Sequence, residues 1–272
     1  MQLEIITIYV VCDDILQAMG VTDDEQATMT TAEVMTTALV AARFFGGCLE
    51  QSRALLKDER YIPRMLGKSR FNRRFHAIPE SLWQAVLAAV AQAHHMLNVD
   101  NEYIVDSFPV AVCDNIRIRR CRIYQDEAYR GYCASKKRYV YGLKAHVVVS
   151  AAGAPVEVVL SPASYHDGRI GKTLHLDLPE GATVYGDAAY TDYGWEDALR
   201  ETGQVRFHAA RKRNSKRQHP AYVQYLAERI RKKVETTFSQ ITDQIGRRIH
   251  AVTPRGFELK VFLFVLAFAI CW

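Results

Sequence analysis

Residues 219–246 read HPAYVQYLAERIRKKVETTFSQITDQIG, and no other stretch restricts the fold as much. Leu226, Ile230, Val234, Phe238, Ile241 and Ile245 recur mostly at three- or four-residue spacing, which predicts one long amphipathic helix that must bury a single apolar stripe. Glu235 stands beside that stripe, with Arg231 one turn earlier on the same face and Lys232 and Lys233 between them. A carboxylate among so many cations is charged at neutral pH. Taken alone it reads as a solvated glutamate with an i−4 arginine partner.

Two upstream segments give Glu235 company. In EYIVDSFPVAVCD the strand-like run 103–105 leads into Asp106, and in ATVYGDAAY the run 183–185 leads through Gly186 to Asp187 and then Tyr190. Aspartate is a poor strand former and costly to bury alone, so an Asp inside or capping a β-rich run needs a partner. A divalent metal is one such partner. Two strand-borne aspartates and a helix-borne glutamate form an oxygen-ligand set suited to two hard cations. Such ions can activate a water or a 3′-hydroxyl on one side of a phosphodiester and stabilise the leaving oxygen on the other.

In this order and setting, Asp106, Asp187 in GDAAY and Glu235 in RKKVETTF resemble the DDE transposases of bacterial insertion sequences. The strand YGLKAH (residues 141–146) and the step Tyr165-His166-Asp167 are further marks of that family. The resemblance covers residues 103–272. It implies an RNase H-like mixed β-sheet flanked by helices, with the two aspartates on adjacent central strands and all three acids both catalytic and metal-ligating. It also implies Mg²⁺ as a two-ion cofactor with Mn²⁺ as a substitute, the terminal inverted repeats and target DNA as double-stranded partners, a homodimer on DNA, and a bacterial cytoplasmic, nucleoid-associated location. In several such families a Tyr precedes the Arg by three residues and a Lys follows the Glu by seven. Here those positions are Glu228 and Thr242, while Arg231 matches; the flanking DNA contacts then fall to Arg229, Lys232, Arg247 or Arg248.

The rest of the chain fits a folded protein of 272 residues with 49% hydrophobic content and a formal charge of +5. That charge is uneven. Between residues 206 and 233 ten cations, Arg211, Lys212, Arg213, Arg231 and Lys232 among them, face one acid, Glu228. Such a block is usually a solvated face; between two candidate metal ligands it is expected to meet phosphate. Six cysteines show no CxxC pair or zinc-like spacing and are expected to be reduced thiols. The N-terminal segment lacks the basic region and cleavage site of a signal peptide, and the apolar run 261–272 is too short to span a bilayer, so no membrane partner is expected.

Residues 1–100 have helical periodicity and are expected to form an all-helical domain ahead of a catalytic domain over 101–272. Thr30 and Glu33 predict a capping box, Gly46-Gly47 a stop, and short helices are expected at 49–57 and 60–66. Segment 67–83 (GKSRFNRRFHAIPESLW) fits two arrangements. Either Arg70, Arg73 and Arg74 grip DNA from a helix-turn-helix with Phe71 and Phe75 packed inward, or the cations of a plain bundle lie in water.

Residues 116–138 are polar and basic with Tyr124, Tyr129 and Tyr132 interleaved, and read as one long connection. Base stacking and phosphate contact, with Lys136, Lys137 and Arg138 at its end, compete there with a plain surface loop. Residues 139–150 and 155–160 predict a β-hairpin, with Lys144 and His146 on one face, either near the acids or as a plain polar strand face, and His166-Asp167 are expected to cap a following helix, with metal ligation as the alternative. The functional reading is a DNA transposase. Another RNase H-like nuclease, or a DNA-binding protein derived from a transposase whose chemistry has lapsed, are its alternatives.

Overall fold

The computed structural model describes residues 1–113, 118, 120–133, 137–202, 205–246 and 249–272. The chain forms two compact units, residues 1–90 with 241–272 and residues 91–240.

The first unit is helical. It holds α1 (Gln2–Ala18), α2 (Thr31–Phe44), α3 (Leu49–Leu56), α4 (Lys68–Ala77), the start of α5 (Glu80–Leu97), the end of α8 (Ala221–Ile245) and α9 (Pro254–Ile270). The capping box is present: the Glu33 amide donates to Thr30 Oγ1 at 3.1 Å, and the Thr30 amide donates to Glu33 Oε2 at 2.7 Å. At the other end of α2, Gly46 and Gly47 take φ of 55° and 77°, which a side chain would resist. α2 is apolar nearly all round and packs against α1, α3 and α9. By contacts residues 241–272 group with the N-terminal helices, α9 laying its apolar surface on α2 and α1.

Phe71 and Phe75 of α4 are buried, and Phe75 meets Trp83 edge-on. The helix expected at 60–66 does not form. Pro63 lacks an amide donor and biases Ile62 away from helical geometry, while the Asp58 carboxylate accepts the Arg60 amide in a local turn. Among the described residues no single helix is long and apolar enough to cross a membrane.

The second unit is a mixed sheet flanked by helices, as expected. Its strands are β1 (Glu102–Cys113), β2 (Arg130–Cys133), β3 (Arg138–Ser150), β4 (Pro155–Pro162), β5 (Ala182–Gly186) and β6 (Val205–Ala209), with α6 (Asp167–Gly171) and α7 (Tyr193–Glu201) between. The order is β2-β3-β1-β5-β6, and β4 also pairs with β3. β1, β3 and β4 are antiparallel neighbours, whereas β5 and β6 run parallel to β1. One face of the sheet buries Tyr103, Val105, Val148, Val184 and Phe207 against Tyr190, Leu174 and Leu176. The other carries Phe108, whose ring lies 5.0 Å from that of Phe238 on α8, and Thr237 of α8 donates to the Gly153 carbonyl at 2.9 Å. The strand β2 arises inside the stretch expected to be one long connection. It has only four residues, and β3 is its pairing strand.

Candidate active site

The parallel pairing of β1 with β5 ends with Ile104 opposite Tyr185 and Val105 opposite Gly186. Asp106, within β1, and Asp187, one residue past the end of β5, come next. β5 stops there while β1 continues beside β3 to Cys113, so the aspartates flank a cleft at the carboxyl end of β5. Gly186 makes the approach feasible: a β-carbon there would lie 2.9 Å from Phe207 Cζ and 3.3 Å from Val105 Cγ1. Asp187 precedes the short 3₁₀ turn Ala188–Tyr190 and its side chain accepts no capping hydrogen bond from it, which leaves the carboxylate available.

α8 supplies the third acid. Ile230, Val234 and Phe238 are buried, and that phase turns Arg231 and Glu235 outward on one face. An Arg231 Nη lies 3.6 Å from Asp187 Oδ2, and its Nε lies 3.7 Å from Glu235 Oε1, so one guanidinium touches both acids. Asp106, Asp187 and Arg231 line one cleft with Tyr185, His208 and His219.

Burial pushes the Asp106 carboxyl up to about 6, and the neighbouring Asp187 and Asp167 carboxylates push the same way. The Ser107 amide, donating to Oδ1 at 2.7 Å, and Arg231 oppose the rise. Among the described residues no three His, Cys, Asp or Glu side chains lie close enough together to hold an ion, and it is Arg231 that supplies positive charge between Asp187 and Glu235. The donor set still suits a hard divalent cation. It is made of carboxylate oxygens, and the charge of Asp106 is disfavoured by burial and by like neighbours, which a bound cation would reverse.

Behind the aspartates is a polar layer that residue spacing alone did not reveal. His146 is wholly buried, with Nδ1 at 3.0 Å from the Tyr190 hydroxyl and Nε2 at 2.9 Å from Ser161 Oγ. Burial pushes the His146 imidazole down to about 4 and the Tyr190 phenol well up, so both are neutral; Ser107 also hydrogen-bonds Tyr190. Lys144 does not reach the cleft as a free cation. Its ammonium donates to Asp167 Oδ1 at 2.9 Å and to the Tyr165 carbonyl at 3.0 Å. Asp167 is therefore not the cap of α6; His166 Nδ1 accepts the Gly168 amide instead.

The expected DNA-contacting cations divide sharply. Arg70, Arg73, Lys137, Arg138, Lys212, Arg213 and Lys232 are exposed, while Lys136, Arg247 and Arg248 lie outside the described residues. Arg211 is instead an internal residue, paired with Glu196 through a forked ion pair in which the side chains are 3% and 4% exposed. Arg74 is also engaged within the protein, with Asp23 Oδ1 at 2.8 Å and the Met29 carbonyl as acceptors.

Residues 98–271 match the family model described as the transposase DDE domain. Among solved structures the chain resembles a piggyBac transposase seen by cryo-EM in a synaptic complex with hairpin DNA. The TM-score is 0.51 with 11% identity, over 99% of this chain and 73% of that one, a likeness of fold. No curated protein matches.

Proposed function

We propose, from the premise that this chain belongs to the transposase DDE domain family and is a DNA transposase, that Asp106, Asp187 and Glu235 are the acids that carry its strand cleavage and strand transfer. The observation that carries the reading is the parallel register ending at Val105 and Gly186. It brings Asp106 of β1 and Asp187, just past β5, to one cleft, where Arg231 links the second to Glu235 on α8. Asp106, Asp187 and Glu235 would hold Mg²⁺, or Mn²⁺ in its place. When bound, such ions activate the attacking oxygen and neutralise the charge that develops at the phosphate.

The chain's own part is positional. Ser107, through its amide, fixes one oxygen of Asp106, and the Tyr190–His146–Ser161 chain braces the strand beside it without adding charge. Lys144 neutralises Asp167, which limits the negative charge stacked around Asp106. Arg231 holds Asp187 and Glu235 at one site. No covalent protein nucleophile is needed, because positioning and charge neutralisation carry the barrier reduction.

The wider reading follows the family. The region 98–271 acts on DNA, and the exposed Arg70 and Arg73 of α4 contact the terminal inverted repeats of the element. Lys212, Arg213, Lys232, Lys137 and Arg138 meet phosphate, and two copies of the chain handle two ends together at the nucleoid. The test is cleavage of a labelled plasmid carrying candidate element ends, with Mg²⁺ or Mn²⁺ against EDTA, for the parent protein and Glu235→Gln. Metal-dependent nicking at the ends that disappears in the variant supports the assignment. Nicking that survives in Glu235→Gln overturns it.

A further inference from the structure

The short ribbon β2–β3 places its residues on two distinct faces. Gly131 and Val140 are register partners on the inner face, where Val140 is buried and a β-carbon on Gly131 would lie 2.2 Å from the Ala163 carbonyl oxygen. The backbone is therefore pinned down on that side, and only glycine allows it. Alternation then sends Arg130, Tyr132 and Tyr139 to the opposite, outer face.

On that face Tyr132 and Tyr139 are direct cross-strand partners, 56% and 46% exposed, with ring centroids 5.2 Å apart in an edge arrangement. The Arg130 guanidinium lies over the Tyr139 ring at 4.4 Å and meets the exposed Glu127 at 3.6 Å. Lys137, just before β3, and Arg138, its first residue, are exposed at the end of the ribbon, Arg138 on the face opposite Tyr139. Two large rings left in water beside Arg130 are not core residues. They form an aromatic surface with a positive rim.

The outer face also has a direction. Along β3 the alternation that carries Tyr139 continues through Tyr141, Leu143 and Ala145, which are buried, to Val147, the register partner of Asp106. Tyr139 and Asp106 thus share one face of the sheet, separated by eight residues of strand, or about 26 Å. That is about eight base pairs of B-form DNA.

We propose that Tyr132 and Tyr139, with Arg130, form a stacking platform for an unpaired segment of the DNA strand engaged at the acids. Stacking on an aromatic ring needs a base whose face is free, which a paired and stacked base does not offer, so the platform selects opened DNA over intact duplex. Arg130, Lys137 and Arg138 supply the contacts to the phosphates that flank the opened bases. The proposal rests on DNA being the substrate and does not depend on the roles of the three acids.

The test is binding in EDTA, where no cleavage occurs. A duplex with a three-nucleotide bubble about eight base pairs from the element end is compared with the fully paired duplex, for the parent protein, the double variant Tyr132→Ala/Tyr139→Ala and the double variant Tyr132→Phe/Tyr139→Phe. The parent prefers the bubble, the alanine variant loses that preference by about fivefold to a hundredfold, and the phenylalanine variant keeps it. Retention of the preference in the alanine variant, an equal loss for both DNAs, or no preference in the parent overturns the proposal. An independent reading uses the parent alone with 2-aminopurine in the bubble. Quenching on binding supports stacking, and unchanged or increased fluorescence overturns it even if the alanine variant does not fold.

Discussion

Val105 and Gly186 are the last paired residues of two parallel strands, and each is followed by an aspartate. Everything chemical about the cleft depends on that register. A slip of one residue would send one of the two carboxylates to the opposite face of the sheet.

Asp106 makes the metal-free protein pay for its readiness. Its folded value of about 6 lies above its ordinary 3.8, so the folded state holds the proton more tightly and stability falls as pH rises between those values. In EDTA, Asp106→Asn should therefore raise stability at pH 8 by at most about 3 kcal/mol, at 1.36 kcal/mol per unit, and with it the thermal midpoint, and give no gain near pH 3. A scan of melting temperature against pH for both proteins checks this. Cleavage should be lost in the variant throughout.

His146 has the opposite sign. Its folded value of about 4 lies below the ordinary 6.5, so the stability it supports is present above pH 6.5 and is lost as pH falls through about 4. Tyr190→Phe removes the hydroxyl at 3.0 Å from His146 Nδ1 and should cost about 1–3 kcal/mol at pH 7, read as a lower urea midpoint with an unchanged m-value.

Arg211 and Lys212 are neighbours with unrelated roles. Arg211→Ala strands Glu196 in the interior and should destabilise the protein by about 3–5 kcal/mol. Lys212→Ala should leave stability within about 0.5 kcal/mol and reduce the salt slope of DNA binding by about one. Denaturant melts and DNA binding at several salt concentrations separate the two.

Gly186→Ala should cost about 1–3 kcal/mol, because the added methyl meets the Phe207 ring at 2.9 Å with Val105 close behind. Restoration of the thermal midpoint by the companion change Phe207→Leu would locate the cost in that contact. Recovery of midpoint without recovery of cleavage would show that Asp187 remains displaced.

How far these features were legible in the sequence depends on how local they are. The Thr30–Glu33 box, the buried stripe of α8 and the β3–β4 hairpin are written in residues a few positions apart, and the structure has them. The four-residue β2 was hidden because its pairing is the only sign of it, and no hydrophobic alternation accompanies so short a strand. Charge was the poorest guide. Arg74 and Arg211 read as phosphate contacts until Asp23 and Glu196, distant along the chain, are seen to neutralise them. The His146–Tyr190 contact likewise joins residues 44 apart, and spacing carries no trace of it.

On α8, Glu235 is held in place by what lies under it, since Val234 and Phe238 are buried on either side of its turn. One residue inserted between Glu235 and Phe238 would swing the carboxylate by about 100° about the helix axis relative to everything anchored beyond it. The third acid is thus stored in this chain as an angle as much as a position, and a length change that leaves every functional residue present would still erase it.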